Sequence, residues 1–222
     1  MGLMKKQVKI KSKKVPRGIY LVLDPAMETS ILMDRLKRSL ESGIDLLQIW
    51  NHWTEEFSED DKITLADEIA ELAGHYSVPV LINDDWKLLN STRLNGVHFD
   101  EIPPYFEKVR SHLDENALVG ITCSNSLDVV KWAVEQNVDY ISFCAMFPSV
   151  SAGTCEIVQP ETVQKAKELC SLPIFVSGGI TPKNLGELLP LGIDGVAVIS
   201  GILSSDSPGK AISEYKKILQ KK

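Results

Sequence analysis

The sequence predicts a single-domain α/β protein with the (β/α)8 TIM-barrel fold. Eight short apolar runs recur along the chain, and stretches with helical periodicity separate most of them. The runs are continuously apolar rather than alternating, which is typical of parallel strands that are covered on both faces. Eight such strands in roughly 205 residues match a compact barrel. An open, doubly wound sheet is the alternative, but no G-x-G-x-x-G motif follows the first run.

The strands are placed by the apolar runs, which have strand length and mostly end at a polar residue or a glycine. The first run, "GIYLVLD", begins at Gly18, and the last, "GVAVISG", begins at Gly195. The runs between them are "DLLQIW", "VPVLIND", "GVHFD", "LVGITCS", "YISFCAMF" and "PIFVSGG". We therefore predict strands that begin at residues 18, 45, 78, 96, 118, 140, 173 and 195.

The helices are predicted from the stretches between the strands. "METSILMDRLKRSLESG" has helical periodicity and closes on Gly43, and a glycine there is a common signal for a helix C-terminus. Thr181 followed by Pro182 suits a helix N-cap with proline at the first helical position. Further helices are expected over residues 58–75, 105–112, 127–136, 160–169, 182–189 and 208–219, and a short one over residues 86–94.

The charge of the chain is unevenly distributed. Residues 1–17 contain 7 of the 24 Lys and Arg residues and no acid, and we interpret them as a basic N-terminal leader before a barrel domain over residues 18–222. That domain contains 17 basic and 30 acidic residues, which gives it a net charge of −13. An acidic body repels polyanions, which predicts that the protein does not bind nucleic acid. The leader is either solvated or contacts an anionic partner.

No feature of the sequence indicates a membrane or secreted protein. No apolar run approaches the ~20 residues that a membrane span needs, and the chain starts without an apolar signal segment. The four cysteines have no CxxC or Cys/His metal spacing and are interpreted as reduced thiols. We therefore expect a cytoplasmic protein without a membrane partner, and the sequence is compatible with a homo-oligomer.

Polar residues cluster at the carboxyl ends of the predicted strands, which is where TIM barrels carry their chemistry. Amides, carboxylates, hydroxyls and imidazoles on apolar strands have the composition of a binding or catalytic site. These residues are Asp24, Gln48, Trp50, Asn51, His52, Asn83, Asp84, Asp85, His98, Asp100 and Thr122.

The last two strands end in Gly178–Gly179 and in Ile199–Ser200–Gly201. Loops at these two places commonly bind phosphate, because glycine lets the main chain approach an anion and helix N-termini add a favourable dipole. A tight turn is the simpler explanation of one glycine pair. Two such strand ends in succession favour a phosphate site formed by main-chain N–H groups.

Eight motifs fall in the order found in a known enzyme family. They are "GIYLVLD", "LLQIW", "LIND", "NGVHFD", "VGIT", "DYISFCAMFPS", "VSGGITPKN" and "GIDGVAVISGI". They resemble the motifs of thiamine-phosphate synthase, such as Y-L-V-T-D, I-I-N-D and D-G-V-A-V-x-S, and the thiazole tautomerase type shares this layout. The chain from Gly18 to about Leu219 is therefore identified as similar to this superfamily.

The resemblance implies a transferase that joins an aminopyrimidine methyl diphosphate to a thiazole phosphate, using Mg²⁺, and releases pyrophosphate. On the matching motifs, Gln48, Asn83 and Thr122 contact the pyrimidine diphosphate, and Asp84 binds Mg²⁺. A serine-containing turn and the main chain after the last two strands hold the thiazole phosphate. The residues predicted to bind phosphate are therefore Ser149, Ser151, Gly178, Gly179, Ile199, Ser200 and Gly201.

The sequence departs from the family pattern at charged positions. Trp50 and His52 stand where the family has arginine and lysine, and Ala152 stands where a lysine follows the serine turn. The second magnesium aspartate of the family aligns with Pro103. Losing cations that stabilise a departing diphosphate slows that step by several orders of magnitude.

Other residues could compensate for these departures. His52 could gain a positive charge beside a bound phosphate. Trp50 could stack on an aromatic ring of a substrate or form an apolar lid. Asp100 or Glu101 could replace the missing magnesium aspartate.

Two functions therefore remain open. One is the synthase-type transferase, in which Gln48, Asn83, Thr122 and His52 act on the pyrimidine diphosphate. The alternative is a divergent tautomerase-type or non-catalytic paralogue that binds a thiazole phosphate or a similar small phosphate. The tautomerase histidine falls at Cys123 or Ser124 in this chain, so neither pattern is complete.

Overall fold

The computed structural model describes residues 14–149 and 156–220 of the chain. It confirms the barrel: eight parallel strands pair in chain order, and the last pairs with the first. Each predicted start lies within two residues of the observed one. The strands are β1 (Gly18–Leu23), β2 (Leu46–Ile49), β3 (Val80–Asn83), β4 (Gly96–Phe99), β5 (Leu118–Thr122), β6 (Tyr140–Phe143), β7 (Ile174–Val176) and β8 (Gly195–Val198).

Helices connect most of the strands. The segment predicted as a helix over residues 182–189 is instead a 3₁₀ helix that begins three residues later. Asn184 Oδ1 accepts a hydrogen bond from the Thr181 N–H at 2.7 Å and holds a turn there, and Pro190 lacks the N–H that an α-helix would use. The helices are α1 (Thr29–Glu41), α2 (Glu59–Gly74), α3 (Phe106–His112), α4 (Leu127–Glu135), α5 (Pro160–Leu169), α6 (Ser200–Leu203) and α7 (Pro208–Leu219), with 3₁₀ helices at Trp86–Asn90 and Leu185–Leu191.

Two apolar clusters hold the barrel together. The larger one lies between the strands and the helices and includes Leu32, Leu36 and Ile69. In the smaller, interior cluster, aromatic rings meet edge to face at centroid distances of 5.4 to 6.0 Å. Gly120 leaves room for them, since a Cβ there would lie 2.1 Å from the Tyr140 ring. The interior cluster consists of Val15, Tyr20, Val22, Leu46, Leu81, Leu118, Tyr140 and Phe175.

At the amino-terminal end of the barrel, an Asp or Asn before each even-numbered strand binds the strand before it. Its side chain accepts a strand N–H, and its own N–H donates to the carbonyl of that same strand residue. For example, the Val80 N–H lies 2.8 Å from Asn95 Oδ1, and the Asn95 N–H lies 2.7 Å from Val80 O. We name these pairs the four Asx contacts: Ile19 with Asp45, Val80 with Asn95, Val119 with Asp139, and Ile174 with Asp194.

Residues 14–17 lead into β1 at this same end. Val15 is buried in the interior cluster, and Arg17 Nη1 lies 3.1 Å from Asp194 Oδ1. Residues 1–13 lie outside the described part of the chain, so the division into leader and barrel domain stays a prediction. Across residues 14–149 and 156–220, the structure contains no helix with the length and apolar character of a membrane span.

Candidate active site

The carboxyl ends of β2, β3 and β5 bring three predicted site residues to one mouth of the barrel. Gln48, Asn83 and Thr122 are each an even number of residues beyond a member of the interior cluster on the same strand, so their side chains take the inward direction. Gln48 and Asn83 are buried, and Thr122 is half-buried. Strand ends far apart in sequence therefore converge on one polar layer above the apolar interior.

Hydrogen bonds link this polar layer from Gln48 to His98. The Tyr20 hydroxyl donates to Gln48 Oε1 and lies 2.9 Å from the Tyr140 hydroxyl. The Tyr140 hydroxyl lies 2.8 Å from His98 Nδ1. Two buried tyrosines thus connect the amide of β2 with the imidazole of β4.

The connection continues to the far side of the imidazole. His98 Nε2 lies 2.9 Å from Thr122 Oγ1, which lies 3.1 Å from Ser142 Oγ. Burial lowers the pKa of His98 to about 3, so the ring is neutral at physiological pH and carries one proton. We name the whole series of bonded side chains the relay: Gln48, Tyr20, Tyr140, His98, Thr122 and Ser142.

The neutral His98 should make the protein less stable in acid. Its pKa in the unfolded chain is about 6.5, whereas in the fold it is about 3. The unfolded state therefore binds a proton that the folded state does not, and stability falls as the pH drops below about 6.5 towards 3. From pH 7.5 to pH 5 we expect a loss of about 2 kcal/mol. Urea unfolding at the two pH values measures it, and an equal loss in His98→Gln would contradict this origin.

A group of carboxylates lies at the ends of β3 and β4. Asp84 has a left-handed φ of 55°, and its Oδ1 accepts a hydrogen bond from the Asp100 N–H at 2.9 Å. Burial raises the pKa of Asp84, the bond from Asp100 opposes the rise, and the charges of Asp100 and Glu101 add to it. Asp100 reaches solvent, yet the protein atoms around its carboxylate raise its pKa by desolvation, against a hydrogen bond from Asn83 that lowers it. The negative charges of Asp84, Asp100 and Glu101 therefore disfavour one another at this end of the barrel.

Trp50 and His52 form an aromatic pair at the end of β2. Their ring centroids are 4.5 Å apart, and His52 Nδ1 lies 2.9 Å from Asp24 Oδ1 at the end of β1. The carboxylate fixes the orientation of the imidazole and leaves Nε2 as its other polar atom. Trp50 also packs against the interior cluster, whereas Trp53 packs on Phe57 and the outer core. Trp50 and His52 therefore line the mouth, and Trp53 is a packing residue.

Gly178 and Gly179 form a tight turn after β7. Both have a left-handed φ, of 84° and 64°. The loop after β6 lies directly on them: a Cβ on Gly178 would be 2.6 Å from Ala145 Cβ, and one on Gly179 would be 2.6 Å from Pro148 O. The glycines are therefore required by the turn itself, whether or not an anion binds there.

The other predicted phosphate ligands lie in the loops after β6 and β8. Ile199 is half-buried, while Ser200 and Gly201 are exposed at the start of α6, where a helix leaves its first N–H groups unpaired by its own carbonyls. Ser149 is half-buried in the loop after β6. Ser151 and Ala152 lie outside the described residues.

The rim of this mouth is acidic. In the first three positions after each strand, all of which the structure describes, there is no lysine or arginine. These three positions therefore hold no cation in place of those that the resemblance implies at Trp50 and His52. The acids at these positions are Asp24, Asp84, Asp85, Asp100 and Glu101.

Sequence reasoning missed three members of the relay, namely Tyr20, Tyr140 and Ser142. Tyr20 and Tyr140 lie in apolar runs, and the available signal was that a buried tyrosine needs a hydrogen-bond partner for its hydroxyl. Cys123 is one of the two residues at the place of the tautomerase histidine. It is buried, and burial, with a smaller effect of Cys170, raises the pKa of its thiol to about 12, which makes it a packing residue.

Comparisons with known proteins agree with the motifs and the fold. The family described as thiamine monophosphate synthase matches residues 19–202. The thiamine-phosphate synthase of Xylella fastidiosa is 30% identical over 201 residues, 90% of this chain and 84% of that one, and the Clostridium perfringens enzyme is 28% identical over 95% of this chain and 100% of its own. The structure of a thiamine phosphate pyrophosphorylase from Pyrococcus furiosus superposes with a TM-score of 0.78 at 20% identity, over 92% of this chain and 96% of that chain. The predicted resemblance is confirmed, and the chain belongs to the thiamine monophosphate synthase family.

Proposed function

We propose that this chain is a thiamine-phosphate synthase-type transferase, which joins an aminopyrimidine methyl diphosphate to a thiazole phosphate in the cytoplasm. Relatives with this enzyme name match 90% or more of the chain, which supports the reaction. The observation that carries the proposal is the convergence of Gln48, Asn83 and Thr122 on the same mouth as the β7 and β8 glycine loops. That mouth offers neutral polar groups to a heterocycle and main-chain N–H groups to a phosphate.

The reaction requires a leaving group and a nucleophile to be held in line. The C–O bond between the pyrimidine methylene and the diphosphate breaks, and its electron pair leaves on pyrophosphate. The thiazole ring nitrogen supplies the pair for the new C–N bond. Amide and hydroxyl groups both donate and accept hydrogen bonds, so Gln48, Asn83 and Thr122 can orient an aminopyrimidine methyl diphosphate. Orientation of this kind contributes several kcal/mol to such reactions.

Mg²⁺ fits the carboxylates at the ends of β3 and β4. The described residues contain no group of three or more His, Cys, Asp or Glu side chains arranged as a complete metal cage. Mg²⁺ commonly binds through one or two carboxylates plus the phosphates of a substrate. Asp84 would hold it, because the Asp100 N–H occupies only one oxygen of its carboxylate, and Asp100 would replace the acid missing at Pro103. When bound, the ion would neutralise charge that develops on the leaving pyrophosphate.

The acidic rim favours a second candidate, a paralogue that binds a small phosphate without synthase turnover. Each lost cation in a diphosphate site costs a few kcal/mol of transition-state stabilisation. At the end of β2, His52, which is hydrogen-bonded to Asp24, could supply part of this lost transition-state stabilisation. The tautomerase version is less favoured, because the place of its histidine falls at Cys123, which is buried, or at Ser124, and neither residue has a basic side chain.

Calorimetric titration, combined with an assay for pyrophosphate, distinguishes the two candidates. We expect thiazole phosphate to bind, and the aminopyrimidine methyl diphosphate to bind when Mg²⁺ is present, with release of pyrophosphate when all three are mixed. Binding of thiazole phosphate alone, without pyrophosphate release, would assign the chain to the non-catalytic candidate. If neither compound binds, both candidates are wrong.

A further inference from the structure

We propose that the relay locks the amide of Gln48 in one orientation, with its NH2 group turned to the mouth as a donor to the substrate's diphosphate. Tyr20, which holds the amide oxygen, is then a positioning residue. The inference rests on the proposed function for the identity of the substrate. With the Gln48 amide oxygen bonded to Tyr20, as the structure has it, the directions of the other protons in the relay follow bond by bond.

The amide oxygen of Gln48 determines which group donates in each hydrogen bond between Gln48 and His98. An amide oxygen only accepts, so the Tyr20 hydroxyl must donate to Gln48 Oε1. A hydroxyl has one proton, so Tyr20 must accept the proton of the Tyr140 hydroxyl. Tyr140 then has no proton for the imidazole, and His98 Nδ1 must carry the hydrogen. Burial raises the pKa of both tyrosines, so both hydroxyls keep their protons at neutral pH.

The Thr122 side completes the series. The His98 ring is buried, and the hydrogen-bond partners that the structure describes for it are hydroxyl groups rather than carboxylates, so the ring is neutral and has one proton. With Nδ1 protonated, the Nε2 atom accepts from the Thr122 hydroxyl. Ser142 Oγ also lies near Nε2, at 3.4 Å, but Thr122 Oγ1 is closer at 2.9 Å, so we assign Thr122 as the donor to Nε2 and Ser142 as the donor to Thr122 Oγ1. Thr122 therefore has no proton left for a diphosphate oxygen, and its remaining lone pair suits a donor such as the pyrimidine amino group.

The relay has one other self-consistent state, in which every bond is reversed. Rotation of the Gln48 amide would turn its oxygen to the mouth, shift the His98 proton to Nε2 and direct the Thr122 proton to Ser142. An amide oxygen facing the mouth would repel a diphosphate, and the acidic rim offers little to offset this. The two states thus differ in which substrate group each side chain can bind, and the position of one proton on His98 reports which state is present.

Nitrogen NMR of protein labelled on histidine reads that proton directly in the substrate-free protein. The chain has four histidines, and loss of one signal in His98→Gln assigns it. We expect His98 to be neutral with the proton on Nδ1, and Tyr140→Phe to produce a mixture with the Nε2 form, because Nδ1 loses its acceptor. A charged ring, or an Nε2–H form in the unsubstituted protein, would overturn the proposal.

The second measurement tests the effect on the substrate. Tyr20→Phe releases the Gln48 amide, and we expect the Kd for Mg²⁺-pyrophosphate and the KM for the pyrimidine diphosphate to rise about tenfold. The KM for thiazole phosphate and kcat should change less than twofold, because only binding of the diphosphate is weakened. Ser39→Ala, which also removes a buried hydroxyl but far from the mouth, is the control and should leave all four values unchanged.

The outcomes separate this inference from the proposed function. An Nδ1–H form together with unchanged pyrophosphate binding in Tyr20→Phe would refute the positioning role of Tyr20. Weaker pyrophosphate binding in Tyr20→Phe, in a protein that never releases pyrophosphate, would support the relay and refute the synthase. Unfolding of Tyr20→Phe is detected by circular dichroism, and the proposal is then decided by the His98 tautomer and by Tyr140→Phe.

Discussion

Replacing Asp84 by asparagine should lower kcat/KM for pyrophosphate release by about 100- to 1,000-fold, the usual effect of removing one stabilising group from a developing charge. Asparagine has the same shape, tolerates the left-handed φ of 55° at this position and can still accept the Asp100 N–H. The substitution therefore removes only the negative charge that would hold Mg²⁺. Steady-state release of pyrophosphate at several Mg²⁺ concentrations measures the effect.

Asp85→Asn is the matched control, because Asp85 is the next acid along the chain and its side chain makes no capping hydrogen bond to the 3₁₀ helix that follows. It should retain activity within about threefold. The stability of Asp84→Asn should change in the opposite direction to its activity. The pKa of Asp84 is raised in the fold, so its charge opposes folding at neutral pH, and removing it should increase the free energy of unfolding. Equal losses of activity in the two variants would show that the total negative charge of the rim matters and that Asp84 has no specific role.

Replacing Gly179 by alanine should destabilise the protein by about 3 kcal/mol. Alanine at a φ of 64° costs about 1–2 kcal/mol, and its Cβ would lie 2.6 Å from Pro148 O and 2.7 Å from Phe147 O. Because those atoms belong to the main chain, they can move away only if the loop after β6 shifts. Urea unfolding measures the loss, and calorimetry should show weaker binding of thiazole phosphate.

Gly186→Ala provides the control within the same βα segment. A Cβ at Gly186 would have no heavy atom within 4 Å, so this variant should be neutral or more stable by about 0.5 kcal/mol. If Gly179→Ala is as stable as Gly186→Ala, the turn after β7 can relax, and the strict requirement for glycine is wrong.

The sequence predicts the barrel well because each of its strands is a local signal. A run such as "VPVLIND" is apolar on both faces and ends at Asn83, so both the strand and the end that carries chemistry can be recognised without knowing their neighbours. The helix over residues 160–169 is located correctly because Pro160 marks its first turn. The segment after Thr181 is mispredicted because an Asn184 side-chain contact and a late proline decide its helix type.

The relay could not be predicted, because it depends on which strands lie side by side and how far each is shifted. Tyr20 and Tyr140 are 120 residues apart and meet only when the barrel closes. The same holds for the contact of His52 with Asp24 across β1 and β2. Residue type indicated that these groups were polar at strand ends. Which hydrogen-bond partner each of these side chains has is determined by the strand order and register of the closed barrel.

The four Asx contacts stabilise one end of the barrel, and the candidate active site lies at the other end. Every one of them ties an odd-numbered strand to the next strand at the amino-terminal rim, a whole strand length from Gln48, Asp84 and Gly179. Residues at the opposite rim can therefore be substituted without disrupting the four Asx contacts. Trp50 and His52 lie at that opposite rim, so the residue types at these positions can change while the barrel keeps its shape. The contacts that hold the strands together and the residues that would bind substrate are therefore separate sets of side chains.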